Sequence, residues 1–484
     1  MGAHGSLPYI PVLRFGQPYR SLDTVVVKSH RDGTPLAEVG QANVGLVRRD
    51  LMRAHEAAAV LRAMPVAQLI DICGRAAELF LDGEVESDID GTLWGPERYV
   101  EVLSATSGLP HRMCRANMLK VHEVLSEMPR ILGGLTRGLD LGVLDGGALE
   151  QNGVPVAYCP NGDSLGVILP SNSPGVNSIW LPSIPLKTPL FLKPGREEPW
   201  TPYRILSAFR AAGCPPEALG YYPTSHEGSA AILALAGRSQ LFGDARTTDP
   251  YKNDPRVELH GPGWSKVLLG PDEAPRYAEH LDVLVDSVAK NGGRSCINAS
   301  TILTPSHAVE MADAVAQRLA RIEPRAPEDP EAELSAFANP AVAAWCDATI
   351  EAGLAEGGAE DVTARYRQGP RLVEAFGGTY MRPTLIRCDS LEHPLARTEL
   401  LFPFASVVQV PEGELVSALG HSLVVSGITR EPALQAALHA ANHVDRLNLG
   451  PLPTSKVEWD QPHEGNLFEF LHTRRAFQSA SSWA

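Results

Sequence analysis

Gly166-Val-Ile-Leu-Pro-Ser-Asn172-Ser-Pro-Gly-Val176 and, after a further apolar run, Phe191-Leu-Lys193-Pro-Gly-Arg-Glu-Glu-Pro199 set the architecture of this chain. Val167-Ile-Leu169 and Leu190-Phe-Leu192 are short apolar runs bounded by proline and glycine, which read as buried parallel strands. A helical pattern follows from Pro202 to Ala212. That alternation of strand and helix predicts a doubly wound α/β domain.

Outward from this centre, Val25 to Val39 reads as two strands around the turn Arg31-Asp-Gly-Thr-Pro35, a hairpin. Apolar residues at three- and four-residue spacing predict helices over 46–62, 66–81, 98–107 and 113–135. Downstream, helices are expected over 275–290, 306–322 and 340–352, in a second α/β region, and 323–332 is a solvated loop. Strand patterns surround Gly153 and Asn161-Gly162.

With 484 residues and 44% hydrophobic content, the chain can bury the cores of two or three domains. Its formal charge of −15 repels nucleic acid and anionic membranes, and no apolar run approaches the length of a membrane span. Seven widely spaced cysteines, without a CxxC pair or zinc spacing, point to a reducing compartment. The start, Met1-Gly-Ala-His-Gly-Ser-Leu-Pro8, lacks the regions of a secretory signal, so a cytoplasmic location is expected. His439 and His443 lie four apart without a third ligand, and no metal is implied. Neither a GxGxxG fingerprint nor a GxSxG elbow nor a P-loop occurs.

Asn291-Gly-Gly-Arg-Ser-Cys296-Ile-Asn-Ala-Ser300 suits a nucleophile better than a core. Its glycines permit close approach of a substrate, and Arg294 is placed to favour the thiolate, the reactive form of Cys296. The Pro-x-Asn-x-Pro strand end, the Lys-Pro pair at 193 and this cysteine loop occur in a fixed order. Ala211-Ala-Gly-Cys-Pro-Pro216, Leu241-Phe-Gly-Asp244, Val257-Glu-Leu-His-Gly-Pro-Gly263, Arg382-Pro-Thr384 and Glu399-Leu-Leu-Phe402 continue it. Together they resemble the aldehyde dehydrogenase superfamily.

That resemblance implies a Rossmann-like cofactor-binding domain (1–148 and 166–273), an α/β catalytic domain (274–455), and a small β-strand oligomerisation arm with the C-terminal tail (149–165 and 456–484). It implies NAD(P)-dependent oxidation of a small-molecule aldehyde to a carboxylic acid in a homodimer or homotetramer. Cys296 would be the nucleophile, Asn172 and the Cys296 N–H the oxyanion donors, and Glu258 the general base for water. Lys193, Arg196, Gly243, Glu399 and Phe402 would contact the cofactor. Arg196 stands where NAD-preferring members often place a ribose-binding glutamate, which makes NADP an alternative to NAD; Glu197 and Glu198 reach the same ribose if the loop differs by one residue.

Two departures keep a second chemistry open. Gly261-Pro-Gly263 is similar to the loop of CoA-acylating members, in which coenzyme A instead of water takes an acyl group, and the shortened Phe242-Gly243-Asp244 loop carries an acid. Asn448-Leu-Gly and Gly465-Asn-Leu-Phe468 replace the usual glycine-rich segment that sets substrate choice. A rival of another class is a binding protein that kept the fold without the reaction.

Overall fold

The computed structural model describes residues 7–478. Five strands, β1 (Leu165–Ile168), β2 (Leu190–Lys193), β3 (Leu219–Tyr221), β4 (Arg238–Phe242) and β5 (Val257–His260), run parallel in the order β5-β4-β1-β2-β3. Val12–Arg14 and Gln17–Tyr19 extend this sheet antiparallel beyond β3. Every residue of β1 is buried, as its unbroken apolar run requires. Gly166 lets the helix His226–Leu235 close on the strand, because a β-carbon there would stand 2.6 Å from Ile232 Cγ2.

A second sheet holds β6 (Ser265–Leu269), β7 (Ala299–Thr304), β8 (Ala359–Asp361), β9 (Thr384–Cys388), β10 (Phe404–Gln409), β11 (Ser422–Ile428) and β12 (Val444–Leu449). Its order is β8-β9-β10-β7-β6-β11-β12, parallel except for β8. The mixed α/β class with a Rossmann-like parallel sheet is therefore as expected. One boundary differs. β6 was expected in the unit ending at residue 273, but it is hydrogen-bonded to β7 and β11, so the chain crosses between sheets at 261–264.

The hairpin expected over 25–39 forms from Thr24–Lys28 and Pro35–Gly40. Two long helical patterns are each broken once: 46–62 into Val44–Leu51 and Ala54–Arg62, and 113–135 into His111–Ser126 and Met128–Leu135. Pro129 explains the second break, since its ring and missing N–H suit only a first helical turn. Ala148–Gln151 and Val154–Pro160 form a hairpin across Asn152 and Gly153, both at positive φ as a tight two-residue turn demands. His472–Arg475 pairs antiparallel with Val154–Pro160, which makes a separate three-stranded arm. Residues 479–484 of the expected tail lie outside the described residues. No single helix among the described residues is long and apolar enough to cross a membrane.

Candidate active site

Cys296 sits in the loop between the helix Leu281–Ala289 and β7, facing the carboxyl ends of β1 and β5. Asn291, Gly292 and Gly293 all take left-handed backbone angles, so the chain turns sharply before the thiol. Glycine is required at 293, where a β-carbon would overlap the backbone of Phe402 and Pro403. Gly263 meets the other side of the loop, its missing β-carbon position lying 2.8 Å from the Cys296 carbonyl carbon. Ser265 Oγ donates to that carbonyl at 2.8 Å.

Asn172 is positioned by the turn that ends β1. Its Nδ2 donates to the Arg294 carbonyl at 2.8 Å, leaving the second N–H of the amide for another acceptor. The two loops are further joined by side chains that the sequence reading did not single out. Asn291 Nδ2 donates to Ser173 Oγ at 3.3 Å and to Ser295 Oγ at 3.0 Å, while Asn117 Nδ2 donates to Asn291 Oδ1 at 3.0 Å.

The Cys296 thiol is half-buried, and burial pushes it up to about 12, with the negative charge of Glu399 adding to the rise. The backbone N–H groups of Cys296 and Ile297 act in the opposite direction. Arg294 does not favour the thiolate as expected. Its buried guanidinium donates to the Ser107 carbonyl at 2.7 Å instead of facing the sulfur. Burial thus favours the neutral thiol of Cys296 over the thiolate.

Glu258, on β5, accepts from Gln240 Nε2 at 2.9 Å and bonds His260 Nε2 at 3.1 Å. Burial raises this carboxyl, but the bonds to His260 and Gln240 more than reverse the effect, so it lies below its ordinary value. His260 stacks on Phe242, with ring centroids 4.2 Å apart, and its Nδ1 bonds the Glu464 carboxylate. The groups beside the sulfur come from the C-terminal segment. Donor atoms of Cys296, His463 and Glu464 lie within 4.8 Å of one another. Sequence reasoning missed His463 and Glu464 altogether. The only signal was the departure around Gly465, whose lack of a β-carbon lets the segment lie directly against the Glu258 carboxylate.

The expected cofactor residues occupy three surroundings. The Lys193 ammonium, at the end of β2, is lowered by burial and makes no hydrogen bond or ion pair among the described residues. Arg196 is exposed and likewise unpaired. Gly195 brings their loop to the strand end of β1, where a β-carbon would stand 2.5 Å from the Pro170 carbonyl oxygen. Glu198 cannot reach a ribose, because it is 2% exposed and accepts from Thr201 N and Oγ1 at 2.8 and 2.6 Å. Gly243 packs on Thr247, and beside it Asp244 caps the short helix Ala245–Thr248 by accepting the Thr247 N–H. Glu399 accepts from Gly263 N and Trp264 N at 3.2 and 2.6 Å, and burial pushes it up to about 7. Phe402 is 3% exposed and packs on Phe337 and Phe404 behind the Cys296 loop.

A sequence model of the aldehyde dehydrogenase family matches residues 19–418, the greater part of the chain. The chain belongs to this family. NAD(P)-linked oxidation of an aldehyde, expected from the motifs, is the activity that membership carries. A search of curated proteins finds none that matches. Among solved structures, an aldehyde dehydrogenase from Brucella melitensis biovar abortus 2308 superposes with a TM-score of 0.77 at 16% identity, covering 99% of this chain and 100% of the other. An indole-3-acetaldehyde dehydrogenase of P. syringae, in complex with NAD+, gives 0.77 at 18% identity, covering 98% and 96%. An E. coli NADP-dependent enzyme gives 0.77 at 14%, covering 97% and 98%. These likenesses establish the aldehyde dehydrogenase fold.

Proposed function

We propose that the protein oxidises an aldehyde to a carboxylic acid through a covalent intermediate on Cys296, with water as the final acyl acceptor. The observation that carries this reading is the placement of the thiol, with Glu464 and His463 within 4.8 Å on one side and Asn172 bonded two residues upstream on the other. Addition of sulfur to the aldehyde carbon transfers the thiol proton toward the Glu464 side. The oxyanion of the resulting thiohemiacetal takes the free N–H of Asn172 and the N–H of Cys296. A bound nicotinamide dinucleotide supplies the acceptor for the hydride that leaves this carbon. Lys193 and Arg196, unpaired at the carboxyl edge of the parallel sheet, fit such a group, and Arg196 suits the extra phosphate of NADP.

Hydrolysis of the thioester then requires a base. Glu464 takes that role at the sulfur, and His260 connects it to Glu258, so the expected base acts through a chain of two hydrogen bonds. The three-stranded arm has a free edge at Ala148–Gln151 and suits assembly into a homodimer or homotetramer, which light scattering would read. Seven free cysteines suit the reducing cytoplasm.

The test is a single turnover with an aldehyde panel and NAD or NADP, followed by mass analysis of Cys296. Acid released by water alone, and slowed in both Glu464→Gln and Glu258→Gln, supports the reading. An acyl adduct that persists until coenzyme A is added overturns hydrolysis in favour of acyl transfer.

A further inference from the structure

We propose that Cys296, His463 and Glu464 form a binding site for a soft divalent cation, zinc above all, that caps the nucleophile reversibly. The donor set is one sulfur, one imidazole nitrogen and one carboxylate oxygen, all within 4.8 Å of one another. Thiolate with imidazole and carboxylate is a zinc combination, whereas magnesium and calcium require oxygen donors throughout. Bond lengths to zinc place adjacent donors about 3.5 Å apart, so the trio closes by about an ångström through side-chain rotation.

A second observation concerns the imidazole. His463 faces Glu464 through Nε2, 3.9 Å from its carboxylate oxygen, while its Nδ1 is buried with no hydrogen-bond partner among the described residues, so no hydrogen bond holds the ring on that side. The carboxylate of Glu464 is meanwhile held by His260, whose other nitrogen is held by Glu258. Such an outer chain orients a metal-binding carboxylate. The arrangement also concentrates negative charge, with Glu258 and Glu464 on either side of His260 and a thiol that becomes anionic when it reacts. A divalent cation neutralises the thiolate and Glu464 together.

Binding releases the thiol proton to solvent and forms the metal–sulfur bond without change of oxidation state. Three protein donors leave a fourth position for water. While the ion is bound, the sulfur pair that attacks an aldehyde or an alkylating agent is engaged, so the capped protein is protected and inactive, and a chelator restores it. The sequence shows no such site because Cys296 and His463 lie on distant segments, and neither has another ligand at metal spacing.

The experiment uses the full-length protein without substrate or cofactor, so that its outcome does not depend on the proposed reaction. Zinc is added in equilibrium dialysis, and cobalt(II) is added as a spectroscopic substitute. One ion per chain is expected, with a thiolate-to-cobalt charge-transfer band. Zinc should slow iodoacetamide alkylation of Cys296, and EDTA should restore it. Cys296→Ala abolishes the band, and His463→Gln or Glu464→Gln weakens binding at least about tenfold. Circular dichroism identifies any variant that has failed to fold, and the paired replacement of His463 by Gln and by Ala provides a second reading. The proposal is overturned if zinc leaves alkylation unchanged, if Cys296→Ala keeps the cobalt band, or if folded His463 variants bind zinc as the parent does.

Discussion

Gly263 and Cys296 are in backbone contact, with no room between them for a methyl group. Gly263→Ala must therefore displace the cysteine loop relative to Asn172. A displacement near an ångström costs a reaction that depends on orientation on the order of 100-fold in kcat, and the overpacking destabilises the fold by about 1–3 kcal/mol. Steady-state kinetics and urea unfolding check both. A kcat within twofold of the parent would show that the loop tolerates the movement.

Asn172 bonds the Arg294 carbonyl with one N–H, and the proposed mechanism assigns the other to the oxyanion. Loss of one such donor costs about 100- to 1,000-fold in kcat. Asn172→Ala should show this loss with little change in KM, since the bond strengthens as the charge develops. A variant that loses affinity and retains kcat would return Asn172 to the role of a turn residue.

Arg196 is exposed and unpaired at the expected ribose position. A charge-assisted hydrogen bond to a 2′-phosphate contributes about 1.5–3 kcal/mol, roughly 10- to 100-fold in affinity. Arg196→Ala should lower kcat/KM for NADP by that factor and leave NAD nearly unchanged. Equal losses with both cofactors would place the guanidinium on a group that the two share.

What was legible in the sequence was local. Apolar runs closed by proline and glycine gave β1 and β2, and the strand patterns around Gly153, with the family resemblance, marked the arm hairpin. The cysteine loop declared itself through Gly292 and Gly293. The break at residues 52–53 carries neither proline nor glycine, so no local signal marks it. β6 was misplaced because it follows β5 after only four residues; its pairing with β7 and β11 assigns it to the second sheet. His463 and Glu464 reach Cys296 only when the C-terminal segment folds over β5, a long-range contact that spacing cannot reveal. Glu258 was named as the general base from the family resemblance, and its link to the sulfur passes through His260 and Glu464.

Glu198 provides a prediction about stability. It is buried with Thr201 donating to it, and Tyr99 lies 2.6 Å from the same threonine hydroxyl. Burial raises this carboxyl from 4.5 to about 8, against the two Thr201 bonds. A raised carboxyl favours the protonated fold, so its contribution is complete below pH 4.5. Between pH 4.5 and 8 the unfolded chain has released the proton that the fold still holds. Stability therefore falls across that window by up to about 1.4 kcal/mol per pH unit. Glu399, raised to about 7, adds a fall of the same sign, which cancels when a variant is compared with the parent. Glu198→Gln keeps an oxygen for Thr201 and removes the titration. Its urea midpoint should exceed that of the parent increasingly from pH 5 to 8, with no such growth below pH 4.5. A constant difference across the range would mean that Glu198 titrates alike in the folded and unfolded chain.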